Sequence, residues 1–121
     1  MYRCAIIGVS GNRARGHAEA YQQIGRGQLV AIASRQQDKL DAFGEQFDVA
    51  ARYTDYRELF AQEKPDLVHV NTPPNVRLAI FQAAEAAGIP ALLVEKPLAI
   101  RGEDYLAIRD FARTAKTKIA I

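Results

Sequence analysis

Three glycines near the N-terminus have a spacing that is typical of a phosphate-binding turn. Gly8, Gly11 and Gly16 follow an apolar run, Cys4 to Ile7, and precede an amphipathic segment. A helix N-terminus presents unpaired amide N–H groups and a partial positive charge, and glycines let the backbone approach a phosphate closely. The turn from Gly8 to Gly16 therefore predicts a pyrophosphate site of a dinucleotide. Its candidate residues are Gly8, Ser10, Gly11, Asn12 and Arg13.

The spacing of this turn departs from the G-x-G-x-x-G pattern of dinucleotide-binding folds. Ser10 occupies the position of the second glycine, and the loop is about one residue longer than the pattern. By itself the motif also fits phosphate turns of other kinds, or an ordinary strand-to-helix loop. His17, in the first predicted helical turn, either donates a hydrogen bond to a phosphate or lies exposed.

The end of the second predicted strand indicates whether the bound adenosine ribose has free hydroxyls or a 2′-phosphate. In nicotinamide-binding folds an acidic residue about 20 residues beyond the turn binds the ribose hydroxyls, but here the strand ends Ala33-Ser34-Arg35. A serine hydroxyl beside a guanidinium suits a 2′-phosphate, and Lys39 adds charge one turn later. We therefore predict a preference for NADP(H), with NAD(H) as the other candidate. The alternative is that Arg35 is a solvated loop residue.

The loop after the fourth predicted strand reads Asn71-Thr72-Pro73-Pro74-Asn75. The paired prolines stiffen the turn and prevent a helix from starting before Pro74. Asn71 and Thr72 are then free to line a nicotinamide ribose. His69, inside the same strand, is predicted to be a buried, hydrogen-bonded core histidine.

A lysine follows the fifth predicted strand, in the run Val94-Glu95-Lys96-Pro97. Open α/β sheets bind their ligands at the carboxyl ends of the strands. Lys96 at this edge would hold a ribose hydroxyl or polarise a substrate hydroxyl or carbonyl. A salt-bridged Glu95–Lys96 loop pair is the structural alternative.

The elements that position these residues follow from an alternation of short aliphatic runs and longer amphipathic segments, which is typical of βαβ units. We predict a Rossmann-type α/β fold, a doubly wound parallel sheet of about six strands with helices on both faces. A strand order of 3-2-1-4-5-6 would open one crevice beside the first and fourth strands. The predicted strands cover 3–7, 29–34, 50–53, 67–71, 91–95 and 117–121. The predicted helices cover 15–24, 37–47, 55–63, 75–87 and 102–115.

Two helix boundaries carry recognisable sequence signals. Asp55 with Glu58 three residues later predicts a capping box at the start of the third helix. Gly88 followed by Pro90 predicts the end of the fourth helix.

Length, composition and charge limit the classes of protein to which the chain can belong. With 121 residues, 49% of them hydrophobic, the chain fits one domain with a real core. Sixteen basic and 14 acidic residues are scattered along it, which argues against nucleic acid as the main partner. The first apolar run ends at Gly8, too early for a signal peptide or a membrane span. The single cysteine, Cys4, predicts a buried thiol and a cytoplasmic protein. No metal site is predicted.

The chain resembles, over its entire length, the N-terminal half of the Gfo/Idh/MocA family (glucose-fructose oxidoreductase, inositol dehydrogenase, rhizopine catabolism). The most specific part of the resemblance is a Glu-Lys-Pro triplet after a Thr-Pro turn. The residues that carry it, in order, are the glycine turn with His17, Tyr53-Thr54-Asp55-Tyr56 with Leu59, Pro65-Asp66-Leu67-Val68, Thr72-Pro73-Pro74 and Glu95-Lys96-Pro97.

The resemblance implies an oxidoreductase that moves hydride between NAD(P) and a sugar, polyol or related hydroxy or keto compound. It also implies that Lys96 is the catalytic lysine, in contact with both the nicotinamide ribose and the substrate. The residues that it places around the cofactor are Gly8, Ser10, Gly11, Ser34, Arg35, Asn71, Thr72, Pro73 and Glu95.

The chain departs from the family pattern in three ways. The glycine turn is offset by one position, and Arg77 stands where a histidine commonly follows the Thr-Pro turn. Family members also continue into a second α/β domain that binds substrate and usually mediates oligomerisation. We expect residues 1–121 to be the dinucleotide-binding domain alone, which binds cofactor without turnover.

Two non-catalytic functions are the alternatives. One is a stand-alone nucleotide-sensing module, in which the dinucleotide is a ligand rather than a reagent. The other is a coenzyme A-binding module, since Gly8-Val9-Ser10 before a basic loop also resembles that class of phosphate turn. The Glu95-Lys96-Pro97 strand end argues against coenzyme A.

Overall fold

Six parallel strands form one sheet in the computed structural model, which describes all residues, 1–121. The order in the sheet is β3-β2-β1-β4-β5-β6, and every neighbouring pair is parallel. The predicted Rossmann-type fold and its strand order are therefore confirmed. The strands are β1 (Tyr2–Ile7), β2 (Gly27–Ala33), β3 (Ala51–Tyr53), β4 (Leu67–Val70), β5 (Ala91–Val94) and β6 (Lys118–Ala120).

Five α-helices connect the strands. They are α1 (Asn12–Tyr21), α2 (Gln37–Gln46), α3 (Tyr56–Glu63), α4 (Arg77–Ala86) and α5 (Gly102–Thr114), with a 3₁₀ turn at Pro74–Val76 before α4. None of these helices has both the length and the apolar character needed to cross a lipid bilayer.

Helix α1 begins three residues earlier than the predicted start at residue 15. Gly11 is the N-cap residue directly before Asn12, and its φ of +103° is a backbone conformation that favours glycine. The glycine turn therefore ends at Gly11. The prediction that it extends to Gly16 is wrong, because Gly16 lies inside α1.

Helices cover both faces of the sheet. Ile6 and Ile32 belong to one buried cluster, in which Leu40 and Phe43 of α2 lie on the same face. Their strand neighbours, such as Ile7, belong to the cluster on the opposite face. That cluster receives side chains from α3, α4 and α5, including Phe60, Phe81 and Ile108. Alternate residues of a strand point to opposite faces, so strands buried on both sides are apolar without alternation.

Both predicted helix boundaries are confirmed, but the capping box at α3 is only half formed, because Asp55 caps the helix and Glu58 does not hydrogen-bond back to it. Asp55 caps α3, since its Oδ1 accepts a hydrogen bond from the backbone N–H of Arg57 at 2.8 Å. Gly88, with φ +73°, follows the end of α4, and its N–H donates to the carbonyl of Glu85 at 3.1 Å. These local interactions set where α3 starts and where α4 ends.

Candidate functional site

A cleft of about 1230 Å³ opens at the carboxyl edge of the sheet, next to the loops that follow β1 and β4. It lies where the strand order reverses direction, the place at which doubly wound sheets bind ligands. Every site residue predicted from the sequence lines this cleft, although contact with a cofactor stays a prediction for each of them. These residues are Gly8, Ser10, Gly11, Asn12, Arg13, Ser34, Arg35, Lys39, Asn71, Thr72, Pro73, Glu95 and Lys96.

The two glycines of the turn have different roles. Gly8, with φ +87°, packs against the loop after β4, where a Cβ atom would lie 3.0 Å from the carbonyl carbon of Asn71 and the nitrogen of Thr72. Gly11 faces open space, since a Cβ atom there would meet nothing within 4 Å. No side chain caps α1, so its first amide N–H groups are available to an anion. This arrangement fits a pyrophosphate.

The rim beside β2 carries two cations without a carboxylate partner. Ser34 directly follows β2, and Arg35 and Lys39 come after it along the cleft. The neighbouring cations Arg52 and Arg57 pair with Asp41 and Asp55, whereas Arg35 and Lys39 form no ion pair. The positive charge of these two residues is therefore free to bind an anionic ligand.

The loop after β3 also reaches the cleft, which the sequence analysis did not predict. The lining residues from this loop are Thr54, Asp55, Tyr56 and Arg57. The guanidinium carbon of Arg57 lies 4.7 Å from the ring centre of Tyr56. The predicted strand order contained the signal for this loop, because it places the carboxyl end of β3 next to that of β2.

Unpaired buried polar atoms lie at the opposite end of the cleft. Both side-chain amide atoms of Asn71 and the hydroxyl of Thr72 are buried without a protein hydrogen-bond partner. Buried polar groups are nearly always satisfied by protein, water or ligand. Both residues line the cleft, so water or a bound molecule is the remaining source of partners for these atoms.

Glu95 and Lys96 do not form the loop ion pair that was the structural alternative. Glu95 contacts His17 Nε2 at 3.3 Å through Oε1 and Arg13 Nε at 3.8 Å through Oε2. Lys96 forms no ion pair and lines the cleft beside the cis Lys96–Pro97 peptide. Its ammonium group is therefore available to a ligand.

His17 is not exposed, which was one of its two predicted positions, and a hydrogen bond to a phosphate stays a prediction. Its side chain is 25% exposed, contacts Glu95, and has its ring centre 4.3 Å from that of His69. The early start of α1 explains the difference, because it moves His17 from the first turn of the helix into the second. There the side chain lies against Glu95 and His69.

His69 is the buried core histidine that the sequence predicts. It is 5% exposed, and its Nε2 lies 2.6 Å from the hydroxyl of Tyr21. Burial, with a smaller contribution from His17, lowers the pKa of His69 to about 4, so the imidazole is neutral near pH 7. Burial also raises the pKa of Tyr21. Cys4 is buried as well, as predicted.

Arg77 is an interior residue that the sequence analysis left unassigned. It is only 2% exposed and joins the loops after β4 and β5. Its Nη2 donates to the carbonyl of Thr72 at 2.9 Å, and its Nη1 donates to the carbonyls of Glu95 and Pro97. Burial lowers the pKa of Arg77, and Glu95 opposes that shift, but a guanidinium keeps its charge in proteins.

Comparison with known proteins places this chain in a family. Residues 2–121 match the Gfo/Idh/MocA profile, described as an oxidoreductase family with an NAD-binding Rossmann fold. D-apiose dehydrogenase of Paraburkholderia graminis is 27% identical over 107 residues, which cover 88% of this chain and 28% of that protein. D-xylose 1-dehydrogenase (NADP(+)) 2 of Haloferax volcanii is 27% identical over 88 residues, 73% of this chain and 27% of that protein. The chain thus spans less than a third of these relatives.

A solved structure shows the same arrangement of elements. An oxidoreductase from Agrobacterium radiobacter, crystallised in complex with NAD+, L-tartaric acid and magnesium, superposes with a TM-score of 0.87 and is 27% identical. The match covers 98% of this chain and 34% of that one. The chain belongs to the Gfo/Idh/MocA oxidoreductase family and forms its NAD-binding Rossmann domain.

Proposed function

We propose that this chain is the cofactor-binding half of an NADP-preferring oxidoreductase that transfers hydride between the nicotinamide and a sugar, polyol or related hydroxy or keto compound. The observation that carries the preference for NADP is the pair of unpartnered cations, Arg35 and Lys39, beside Ser34 at the end of β2. A carboxylate at this strand end would bind the ribose hydroxyls of NAD, and a 2′-phosphate would be repelled by it.

The named relatives support the substrate class. Two of them are dehydrogenases of the sugars D-apiose and D-xylose, and the name of the second includes NADP(+). The Agrobacterium structure contains NAD+, so NAD is the competing cofactor for this chain.

Lys96 is the residue to which we assign a catalytic role. It projects from the carboxyl end of β5 into the cleft that Asn71 and Thr72 also line. Its ammonium group would hold a nicotinamide ribose hydroxyl and hydrogen-bond to the substrate oxygen, so that the developing charge on that oxygen is stabilised. The cofactor supplies or accepts the hydride.

Turnover needs a further part of the protein. Hydride transfer requires the substrate to be held at about 3 to 3.5 Å from the nicotinamide, and a cofactor cleft alone does not hold it. We propose that residues 1–121 bind cofactor without turnover, and that a second domain supplies the substrate site and contacts between subunits of a homo-oligomer. The free buried thiol of Cys4 supports a cytoplasmic protein.

A titration of the purified chain with NADPH, NADH and coenzyme A tests the proposal. We expect NADPH to bind most tightly. Arg35→Ala should weaken NADPH binding about tenfold or more, since a hydrogen bond to a charged group contributes about 1.5–3 kcal/mol. NADH binding should change little, because NADH lacks the 2′-phosphate.

Arg109→Ala is the matched control, because it removes an arginine on α5 that pairs only with Asp110. NADPH affinity should be unchanged in this variant. Equal affinities for NADPH and NADH, both insensitive to Arg35→Ala, would refute the cofactor preference. Tighter binding of coenzyme A than of either dinucleotide would refute the oxidoreductase function itself.

A further inference from the structure

Arg77 is a buried cation that is held entirely by backbone carbonyl groups. Its two terminal nitrogens donate to Thr72, Glu95 and Pro97, and no carboxylate lies within ion-pair distance. Its Nε is buried without a hydrogen-bond partner. Burying a charge is costly unless it is compensated. Here the three carbonyl groups and the Coulombic attraction of Glu95 offset that cost.

The three acceptors surround the predicted catalytic lysine. Glu95 and Pro97 are the chain neighbours of Lys96 on its two sides, and Thr72 lies in the loop after the adjacent strand β4. Arg77 therefore restrains the backbone before and after Lys96 and ties it to the loop after β4. A planar guanidinium with donors in a fixed fork is suited to this geometry, whereas a lysine ammonium is a flexible point charge.

The hydrogen bonds of Arg77 also involve a second pair of cleft residues. Asn71 and Thr72 carry the unpaired buried polar atoms, and Arg77 holds their loop through the carbonyl of Thr72. At the other end of the cleft, Ser34, Arg35 and Lys39 receive no hydrogen bond from Arg77. An effect of Arg77 should therefore be confined to one end of a bound dinucleotide.

We propose that Arg77 is a positioning residue that sets the nicotinamide end of the cleft, by fixing the backbone on both sides of Lys96 against the loop of Asn71 and Thr72. This inference rests on the proposed function, because it assumes that a nicotinamide dinucleotide occupies the cleft.

The test compares a whole dinucleotide with its adenosine half. Calorimetric titrations with NADPH and with adenosine 2′,5′-bisphosphate are made on the wild-type chain, on R77M and on R77K. We expect R77M to weaken NADPH binding about tenfold, the size expected for losing hydrogen bonds from a charged group. Binding of adenosine 2′,5′-bisphosphate should be unchanged. R77K, which keeps the charge without the fork, should restore only part of the NADPH affinity.

Ile108→Ala is the control for a variant that loses stability but keeps the hydrogen bonds of Arg77 to the two loops. Ile108 is buried in α5, a helix that contributes no residue to the cleft, and its truncation leaves a cavity in the core. Both ligands should bind Ile108→Ala as they bind the wild-type chain. If R77M does not fold, R77K carries the comparison, since lysine retains the stem and charge.

The outcomes separate the two proposals. A wild-type chain that binds neither ligand overturns the proposed function and the inference with it. A wild-type chain that binds both, with R77M and R77K either unchanged or weakened equally for both ligands, overturns only the positioning role. A selective loss of NADPH affinity supports it.

Discussion

Gly8→Ala should destabilise the fold more than Gly11→Ala. Both glycines have positive φ, +87° and +103°, so alanine is strained at either position by about 1–3 kcal/mol. At Gly8 the new Cβ would also lie 3.0 Å from backbone atoms of Asn71 and Thr72. That backbone is restrained, because the N–H of Asn71 donates to the carbonyl of Ile7 at 2.9 Å. Overpacking of this kind adds about 1–3 kcal/mol.

Urea denaturation followed by circular dichroism measures the difference. We expect Gly8→Ala to lower the free energy of unfolding by at least about 1 kcal/mol more than Gly11→Ala, with similar denaturant slopes. Gly16→Ala is a useful third variant, since Gly16 is inside α1 with open space around it. It should stabilise the chain by about 0.5–1 kcal/mol. Equal midpoints for Gly8→Ala and Gly11→Ala would refute the contact with the loop after β4.

Two further predictions concern stability. Between pH 6.5 and about 4, protonation of His69 in the unfolded chain but not in the folded one should lower the free energy of unfolding as the pH falls, by up to about 3 kcal/mol. Urea titrations across this range should show a steeper decline for the wild-type chain than for His69→Gln, and parallel curves would contradict the assignment. Asp55→Ala should cost about 1 kcal/mol through loss of the α3 cap, while Asp55→Asn should retain most of it. Thermal denaturation distinguishes these variants, and equal losses would show that the cap is not the cause.

Most of the fold could be predicted from the sequence because its signals are local. Aliphatic runs without alternation identify strands covered on both faces, as in β4 and β5. Asp55 and Gly88 mark helix boundaries through hydrogen bonds within a few residues. The start of α1 was misplaced because Gly11 and Gly16 are equally good turn residues in sequence, and only the backbone shows that Gly11 takes the positive φ.

The candidate site could be predicted in part for a related reason. In a parallel sheet, loops that follow neighbouring strands meet at one edge, so the strand order was enough to bring Gly8, Ser34, Asn71 and Lys96 into one cleft. The same order places the loop from Thr54 to Arg57 at this edge of the sheet.

The Rossmann fold, and the loops that meet at the cleft if the strand order is the usual one, could be predicted from the residues alone. The contacts of His17 and Arg77 required the packed structure. Glu95 lies 78 residues from His17 along the chain, and Pro97 lies 20 residues from Arg77. These contacts depend on the turn of the helix that carries each side chain and on the register between strands. The sequence offers many possible partners for a polar side chain on a helix. The packing of the helix on the sheet decides which of them it contacts.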